Sequence, residues 1–241
     1  MREENKRNLK SMTQFVVIGL GKFGKCVATT LAELGKEVLV IDNSAEDIHQ
    51  IENVVSSAVV ADATANNVLK SLGVQNFDCV INCIGDDLQS SIMTTLICKD
   101  LGVNYILAKA QNEQHKKVLE RIGADMIIIP EVNMGQKVAQ MLVNPNMNIV
   151  MNLTNKFKIV EILIPDEWQN KAIMDINVRK KYQVSIIYIK RENEVINPTP
   201  EVVLNKGDML ILAGELSKLE NLSKKVVEDI DISNAIKNAL L

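Results

Sequence analysis

The chain has 241 residues, of which 47% are hydrophobic and 24% charged, a composition typical of a folded globular protein with one or two domains. Its 27 basic and 30 acidic residues give a formal net charge of −3. Proteins that bind nucleic acid usually carry a basic surplus, so we expect no nucleic-acid partner.

The N-terminal residues 1–12 are charged and lack the apolar stretch of a secretory signal. No run approaches the roughly 20 apolar residues that a membrane-spanning helix needs, so we expect a cytoplasmic chain. The cysteines lie in apolar or helical stretches without a CxxC pair and are expected to be reduced core residues, with a zinc or redox site as the alternative. They are Cys26, Cys79, Cys83 and Cys98.

From residue 14 to about residue 141, short apolar runs alternate with longer amphipathic ones. Strands are predicted near 14–18, 37–41, 57–61, 77–81, 104–108 and 125–129. Helices are predicted near 22–34, 44–52, 65–72, 86–101, 112–122 and 131–142, and four of them end at Gly35, Gly73, Gly102 and Gly123. Strands rich in Val and Ile with intervening helices predict an α/β fold, a Rossmann-like doubly wound parallel sheet.

The chain beyond this region has a different pattern. The stretch 143–152 contains several Asn residues and a Pro, which is typical of a connector. Strands near 158–164, 184–190 and 208–213, with a short helix near 177–181, indicate a second, smaller α+β domain with mixed or antiparallel pairing. The leucine and valine spacing of 215–241 predicts a helical tail.

A GxGxxG motif, formed by Gly19, Gly21 and Gly24, lies between the first predicted strand and the first helix, and Asp42 ends the next strand. The glycines permit a tight turn, the helix offers free N–H groups to a phosphate, and the carboxylate accepts a ribose hydroxyl. The alternative is a glycine turn kept for packing. The motif predicts an adenine-nucleotide site, and Asp42 disfavours the 2′-phosphate of NADP by charge repulsion.

Other polar residues follow predicted strands at the same edge of the sheet. Lys22 is expected to reach a terminal phosphate, or to be a solvated lysine of the first helical turn. Lys109 is a second phosphate partner or a solvated surface residue, and Glu131 either binds a divalent cation or begins a helix. Asp62 and Thr64 are expected to contact the ligand, to cap the next helix, or to do both.

Catalytic chemistry is not indicated by this sequence. His49 lies within a predicted helix, and His115 lies in a polar segment of exposed character. Neither histidine is placed as a general acid or base, and the second domain is too small for an ordinary substrate cleft. We therefore expect no enzyme, and an NAD-dependent oxidoreductase is disfavoured.

Seven segments carry a resemblance that extends over about residues 13–220. They are VVIGLGKFG (16–24), VLVIDNSAE (38–46), ADAT (61–64), INCIGDDLQSS (81–91), AKAQN (108–112), KVLERIGADMIIIPE (117–131) and MDINVRKKY (174–182). Together they resemble the RCK (KTN) family, the regulatory subunits of bacterial potassium uptake of KtrA and TrkA type. The resemblance implies an RCK N-terminal nucleotide-binding domain at 13–142, an RCK C-terminal (TrkA-C) domain at 151–220 and a helical tail at 221–241.

The resemblance also implies a ligand, which is ATP or ADP, or alternatively NAD(H), together with Mg²⁺ or another divalent cation held by Glu131. The cofactor-binding residues that it implies are Gly19, Gly21, Lys22, Phe23, Gly24, Asp42, Asn43, Asp62, Ala63, Thr64, Ile84, Gly85, Lys109 and Glu131.

A regulatory function follows from the same resemblance. Dimers would assemble into an octameric ring on a potassium-translocating membrane subunit of KtrB or TrkH type, at the cytoplasmic face of the membrane. Exchange of ATP and ADP would change the shape of the ring and gate the channel. The alternative function is an NAD(H)-binding redox or nucleotide sensor that regulates another partner.

The C-terminal domain of several such proteins binds cyclic di-AMP at a two-fold interface. The residues that match that region are Ile173, Asp175, Asn177, Arg179 and Pro198. Arg179 can pair with a phosphate. Alternatively, Asp175 and Asn177 cap a short helix and Arg179 is solvated.

Overall fold

The computed structural model describes residues 12–226 with the exception of residues 66, 145 and 193. It divides into two compact units, Met1–Val132 and Asn133–Leu241. Within the described residues, we find no helix that combines the length and apolar character needed to cross a membrane. The domain limits 13–142, 151–220 and 221–241 stay a prediction.

Strands and helices alternate throughout the first unit. In chain order they are β1 (Gln14–Ile18), α1 (Lys22–Glu33), β2 (Glu37–Asp42), α2 (Ala45–Ile51), β3 (Ser57–Val60), α3 (Val68–Ser71), β4 (Cys79–Asn82), α4 (Leu88–Asp100), β5 (Ile106–Lys109), α5 (Glu113–Ile122), β6 (Met126–Ile128) and the first turn of α6 (Pro130–Val143).

The six strands form one parallel sheet in the order β3-β2-β1-β4-β5-β6. Val16 and Val17 are both fully buried, because helices cover both faces of the sheet. The strand order reverses between β1 and β4, and such a reversal opens a crevice at the carboxyl ends of the strands. The predicted fold class, a Rossmann-like doubly wound sheet, is confirmed.

Local capping agrees with most of the predicted helix limits. Ser44, Asp87 and Asn112 accept hydrogen bonds from backbone N–H groups at the starts of α2, α4 and α5. All four predicted cap glycines have positive φ angles. Only the helix predicted at 65–72 is much shorter, since α3 begins at Val68 after Asn67, which has a left-handed φ of 67°.

The second unit contains most of α6 and the remaining elements. These are β7 (Met147–Asn152), β8 (Phe157–Leu163), β9 (Lys171–Ala172), α7 (Ile173–Ile176), α8 (Val178–Tyr182), β10 (Val184–Arg191), β11 (Glu194–Ile196), β12 (Val203–Leu204), β13 (Met209–Glu215) and α9 (Leu216–Ser223). Five strands form an antiparallel sheet in the order β11-β10-β13-β8-β7, and β9 pairs with β12. The predicted smaller α+β domain is therefore confirmed.

Two predictions for this half of the chain need correction or limitation. The stretch 143–152 is not only a connector, since β7 lies in it as an edge strand paired with β8. Pairing with a neighbouring strand overrides the weak strand propensity of asparagine. Of the helical tail predicted over 215–241, α9 covers Leu216–Ser223. Residues 227–241 lie outside the described residues, so the rest of the tail stays a prediction.

Asp208 is a buried carboxylate that joins the end of β10 to the loop before β13. It accepts hydrogen bonds from Arg191 Nε at 2.8 Å and Nη2 at 2.9 Å, and from the backbone N–H of Asn205 at 2.8 Å. Burial raises the pKa of Asp208, but the hydrogen bonds from Arg191 and Asn205 lower it further, so its pKa lies below the ordinary value.

We expect Asp208→Asn to destabilise the second unit by about 1–3 kcal/mol, because Arg191 then keeps its charge without a carboxylate. The native pKa is depressed, so the stabilisation is present above the unfolded-state pKa of about 3.9 and is lost as the pH falls through the native value. Urea unfolding from pH 7 down to pH 3 should show the difference between the wild type and the variant shrinking. A difference that stays constant across this range would contradict the assignment.

Candidate functional site

A cavity of about 710 Å³ lies at the carboxyl ends of the strands of the first unit. This volume is within the range of small-molecule and cofactor sites. Every predicted cofactor-binding residue except Gly24 lines it. The crevice predicted from the strand order and the residues predicted from the motif therefore coincide.

Three glycines shape the loop between β1 and α1. Gly19 has a φ of 94°, and a Cβ there would lie 3.0 Å from the backbone nitrogen of Ile84. A Cβ on Gly24 would lie 1.9 Å from the carbonyl oxygen of Gly19, so Gly24 serves close packing of α1 against the loop rather than the cavity wall. A Cβ on Gly21 would meet no protein atom within 4 Å, so a ligand can approach the backbone there.

The first turn of α1 is free to bind an anion. Gly21 is its N-cap residue, and no side chain caps the helix. The first N–H groups of a helix lack intrahelical partners and carry partial positive charge. A phosphate beside this loop would satisfy them. Lys22, the first residue of α1, lines the cavity and is exposed, with no ion-pair partner among the residues that the structure describes.

Asp42 holds the glycine loop as well as lining the cavity. Its Oδ2 accepts a hydrogen bond from the backbone N–H of Leu20 at 2.5 Å, and its Oδ1 accepts one from Ser44 at 2.7 Å. Each carboxylate oxygen has a second lone pair, which a ribose hydroxyl can use. The sequence predicted the ribose contact but not the bracing of the loop, because only the folded sheet brings the ends of β1 and β2 together.

Asp62 and Thr64 form a turn after β3. The backbone N–H and the hydroxyl of Thr64 both donate to Asp62 Oδ1, at 2.8 and 2.7 Å. The hydroxyl contact is the main cause of a pKa of Asp62 below its ordinary value, so the carboxylate is ionised at neutral pH. The alternative prediction, that these residues cap a helix at Ala65, is wrong, since α3 begins at Val68.

Asn82 organises the wall of the cavity after β4. This buried amide donates to the carbonyl oxygen of Ser91 at 2.8 Å and to Thr95 Oγ1 at 2.9 Å, and its oxygen accepts from the backbone N–H of Ile84 at 3.1 Å. The network joins α4 to the loop that contains Gly85. Several lining residues of this wall were not predicted, although they lie in the quoted segment 81–91. They are Cys83, Asp86, Asp87 and Ser90.

Lys109 and Glu131 form an ion pair inside the cavity. The distance between Lys109 Nζ and Glu131 Oε1 is 2.7 Å, and the two side chains are 15% and 64% exposed. Hydrogen bonding to Lys109 is the main reason that the pKa of Glu131 lies below its ordinary value. The alternative in which Lys109 is a solvated surface residue is therefore wrong.

Glu131 lies in the first turn of α6, as the sequence predicted for a helix start. No group of three or more His, Cys, Asp or Glu side chains that could hold a metal ion occurs in the described part of the chain. A divalent cation at Glu131 stays a prediction, and the carboxylate has an ammonium group as its partner in this structure.

The thiols and imidazoles offer little reactive chemistry. Burial raises the pKa values of Cys79, Cys83 and Cys98 to about 12, so these thiols are protonated at neutral pH. Cys26 is exposed, which departs from the expected core position. His115 is buried rather than exposed, and its Nδ1 accepts a hydrogen bond from the backbone N–H of Gln111 at 3.3 Å.

The residues predicted for a second ligand lie around two short helices of the second unit. Ile173 begins α7, and its backbone N–H donates to the carbonyl oxygen of Val202 at 3.0 Å. Asn177 joins α7 to α8 with a left-handed φ of 54°, and no side chain caps α8. Asp175 and Arg179 are exposed, and Pro198, in the segment after β11, is partly buried. Binding of a ligand there stays a prediction.

Comparison with known families assigns both halves of the chain. The TrkA-N domain family matches residues 15–130, and the TrkA-C domain family matches residues 159–226. The first match contains the whole cavity lining except Glu131, the residue after its end.

Two curated relatives are similar along nearly their whole length. Ktr system potassium uptake protein C of Bacillus subtilis (strain 168) is 40% identical over 215 residues, which cover 89% of this chain and 97% of that protein. Ktr system potassium uptake protein A of the same strain is 42% identical over 212 residues, covering 86% of this chain and 96% of that protein.

Among solved structures, the GsuK RCK domain matches with a TM-score of 0.62 at 18% identity, covering 97% of this chain and 54% of that chain. At this identity the likeness shows the fold. The relatives from Bacillus subtilis and the two domain matches carry the stronger conclusion: this chain, with a TrkA-N domain followed by a TrkA-C domain, belongs to the family of Ktr system potassium uptake proteins.

Proposed function

We propose that the protein is a nucleotide-binding regulatory subunit of a potassium uptake system. One observation carries the proposal: the family's glycine loop, Asp42 and two lysines converge on a single cavity at the switch point of the sheet. The relatives named as Ktr potassium uptake proteins supply the biological context. The partner is then a potassium-translocating membrane subunit of KtrB or TrkH type, which would hold this protein at the cytoplasmic face of the membrane.

The cavity suits an adenine nucleotide residue by residue. The uncapped start of α1 and the open backbone at Gly21 would take the phosphates. Asp42 would accept a ribose hydroxyl, with Asp62 and Thr64 nearer the base. Lys22 and Lys109 are the cationic side chains of the lining and would bind the terminal phosphates of ATP or ADP. NAD(H) is the alternative ligand, because its bridged phosphates need only the glycine loop.

Regulation would follow from differential binding. A ligand shifts a protein between two shapes only by as much as its affinities for those shapes differ. ATP and ADP differ at the γ-phosphate, so the residues that reach it would carry the signal. Octameric rings assembled from dimers, as the family resemblance implies, would transmit that signal to the membrane subunit. In this proposal the protein binds its ligand and performs no chemistry on it.

Cyclic di-AMP is the proposed second ligand, at the α7 and α8 region of the second unit. The exposed guanidinium of Arg179 would pair with a phosphate, and Asp175 and Asn177 lie in the same short segment.

Gly21→Ala and Gly24→Ala form a matched pair that tests the nucleotide site. Gly21→Ala is expected to change stability by no more than about 1 kcal/mol, since its φ of −56° suits alanine, while weakening nucleotide binding about tenfold or more. Gly24→Ala is expected to destabilise by about 1–3 kcal/mol, because its Cβ meets backbone. Thermal melting and calorimetric titration with ADP separate the effects. If Gly21→Ala binds ADP with wild-type affinity, the phosphates do not lie against the backbone at Gly21.

Lys22→Gln tests how ATP is distinguished from ADP. Removing a cation that reaches the last phosphate should narrow the ratio of the two affinities roughly threefold to tenfold, with little change for NAD⁺. Lys70→Gln, an exposed lysine of α3 outside the cavity lining, is the control. Competition binding measures both ratios. If Lys22→Gln changes the ratio of the ATP and ADP affinities no more than Lys70→Gln does, Lys22 is a solvated lysine.

The regulatory function predicts a physical complex with a potassium-translocating membrane protein. We expect the chain to co-purify with that subunit, and potassium flux into vesicles containing the complex to depend on the added nucleotide. Gly21→Ala should leave the complex intact and remove the nucleotide dependence of the flux. Failure to form any complex, while nucleotides still bind, would favour a sensor that acts on another partner.

A further inference from the structure

We infer that Glu131 is an internal competitor for Lys109, and that this ion pair sets which phosphate ligands the cavity accepts. The inference rests on the proposed nucleotide-binding function and deepens it. It assigns to Glu131 a role in charge selectivity that is separate from binding a cation.

Lys109 is held in place and largely withdrawn from solvent. Its side chain is 15% exposed, at the end of β5. The stem lies against the loop after β4, because a Cβ on Gly85 would be 3.1 Å from Nζ and 3.4 Å from Cε of Lys109. Gln111 donates a hydrogen bond to the carbonyl oxygen of Gly85, which fixes the same loop from the other side. The ammonium group therefore has a defined position in the cavity wall.

The charge of Lys109 is already neutralised by a neighbouring carboxylate. Nζ lies 2.7 Å from Glu131 Oε1, whereas the Glu131 carboxylate is largely exposed to the solvent of the cavity. Both members of this ion pair line the cavity, whereas Lys22 lies in the same lining with no ion-pair partner among the described residues. A phosphate that binds Lys109 must displace a carboxylate, while a phosphate that binds Lys22 displaces only water.

The lining as a whole carries more acidic than basic side chains. Five carboxylates and two lysines line the cavity, so the wall is negative before any ligand binds. The carboxylates are Asp42, Asp62, Asp86, Asp87 and Glu131. A terminal phosphate at Lys109 would lose the ion pair and would also lie beside the released carboxylate of Glu131. Ligands whose phosphates remain on the glycine loop avoid both costs, so the pair selects against extended, highly charged nucleotides.

The same ion pair connects this charge selection to helix α6. Glu131 is in the first turn of α6, and its contact with Lys109 ties the start of that helix to the end of β5. A ligand that takes Lys109 releases this tie, while one that leaves Lys109 alone preserves it. The charge of the ligand therefore determines whether the start of α6 keeps its contact with β5.

The test is calorimetric titration in EDTA, so that no divalent cation contributes. The probes are ATP, which has a terminal phosphate, and NAD⁺, which has none. Glu131→Gln should raise the affinity for ATP roughly threefold to tenfold and change that for NAD⁺ much less. Asp86→Asn removes one negative charge from the wall without changing the ion pair, so it measures how much the affinity for ATP rises from that loss of charge alone. The inference fails if Glu131→Gln raises the affinity for ATP no more than Asp86→Asn does.

A double-mutant cycle separates competition from a general charge effect. In a Lys109→Gln background the ammonium group for which Glu131 and the phosphate compete is absent. Glu131→Gln should then raise the affinity for ATP no more than Asp86→Asn does. An undiminished rise in affinity in that background would overturn the inference. Circular dichroism and thermal melting confirm that each variant is folded.

The outcome also distinguishes this inference from the proposed function. If the wild type binds both nucleotides and Glu131→Gln behaves like Asp86→Asn, the competition is refuted and the nucleotide site stands. If the wild type binds neither nucleotide, both are refuted.

Discussion

The cavity exists because the loop after β1 passes in close contact with neighbouring backbone. A Cβ on Gly19 would lie 3.0 Å from the backbone nitrogen of Ile84, after β4, and a Cβ on Gly24 would lie 1.9 Å from the carbonyl oxygen of Gly19 in the loop itself. Glycine at both positions therefore lets α1 begin beside β4. Asp42 then fixes the loop from β2 through the N–H of Leu20. These contacts hold an uncapped helix start at the edge of the sheet, and the phosphate-binding chemistry depends on that placement.

The sequence predicted the first unit well because its signals are local. The Val- and Ile-rich strands come within about two residues of their predicted limits, since the runs of the central strands β1, β2 and β4 are buried on both faces and form continuous apolar stretches. The strand β7 was missed, because its pattern of asparagine is typical of a loop and only pairing with β8 makes it a strand. Its register also shifts between Ile149 and Met151, which blurs any alternation.

For the site, residue types were predictable and pairings were not. The glycine motif and the polar residues after the strands gave the phosphate- and ribose-binding candidates of the lining, because the carboxyl ends of parallel strands meet at one edge. The wall residues Cys83, Asp86, Asp87 and Ser90 were missed. The bond from Leu20 to Asp42 and the pair of Lys109 with Glu131 join residues more than twenty positions apart. Such pairings depend on the side-chain positions of the folded sheet, which no spacing rule in a single sequence specifies.

A regulatory protein needs affinities that differ between ligands rather than a high affinity for one. If ATP and ADP are the ligands, as proposed, they differ by one phosphate, and the wall near that phosphate would have to convert a difference in charge into a difference in structure. A wall lined only with unpaired lysines would bind both nucleotides tightly, and no contact within the protein would change between the two complexes. With one lysine in an ion pair with the first turn of α6, a phosphate that bound Lys109 would exchange one contact of that lysine for another. A coupling of about 1–3 kcal/mol, typical between linked sites, is within what such an exchange can supply.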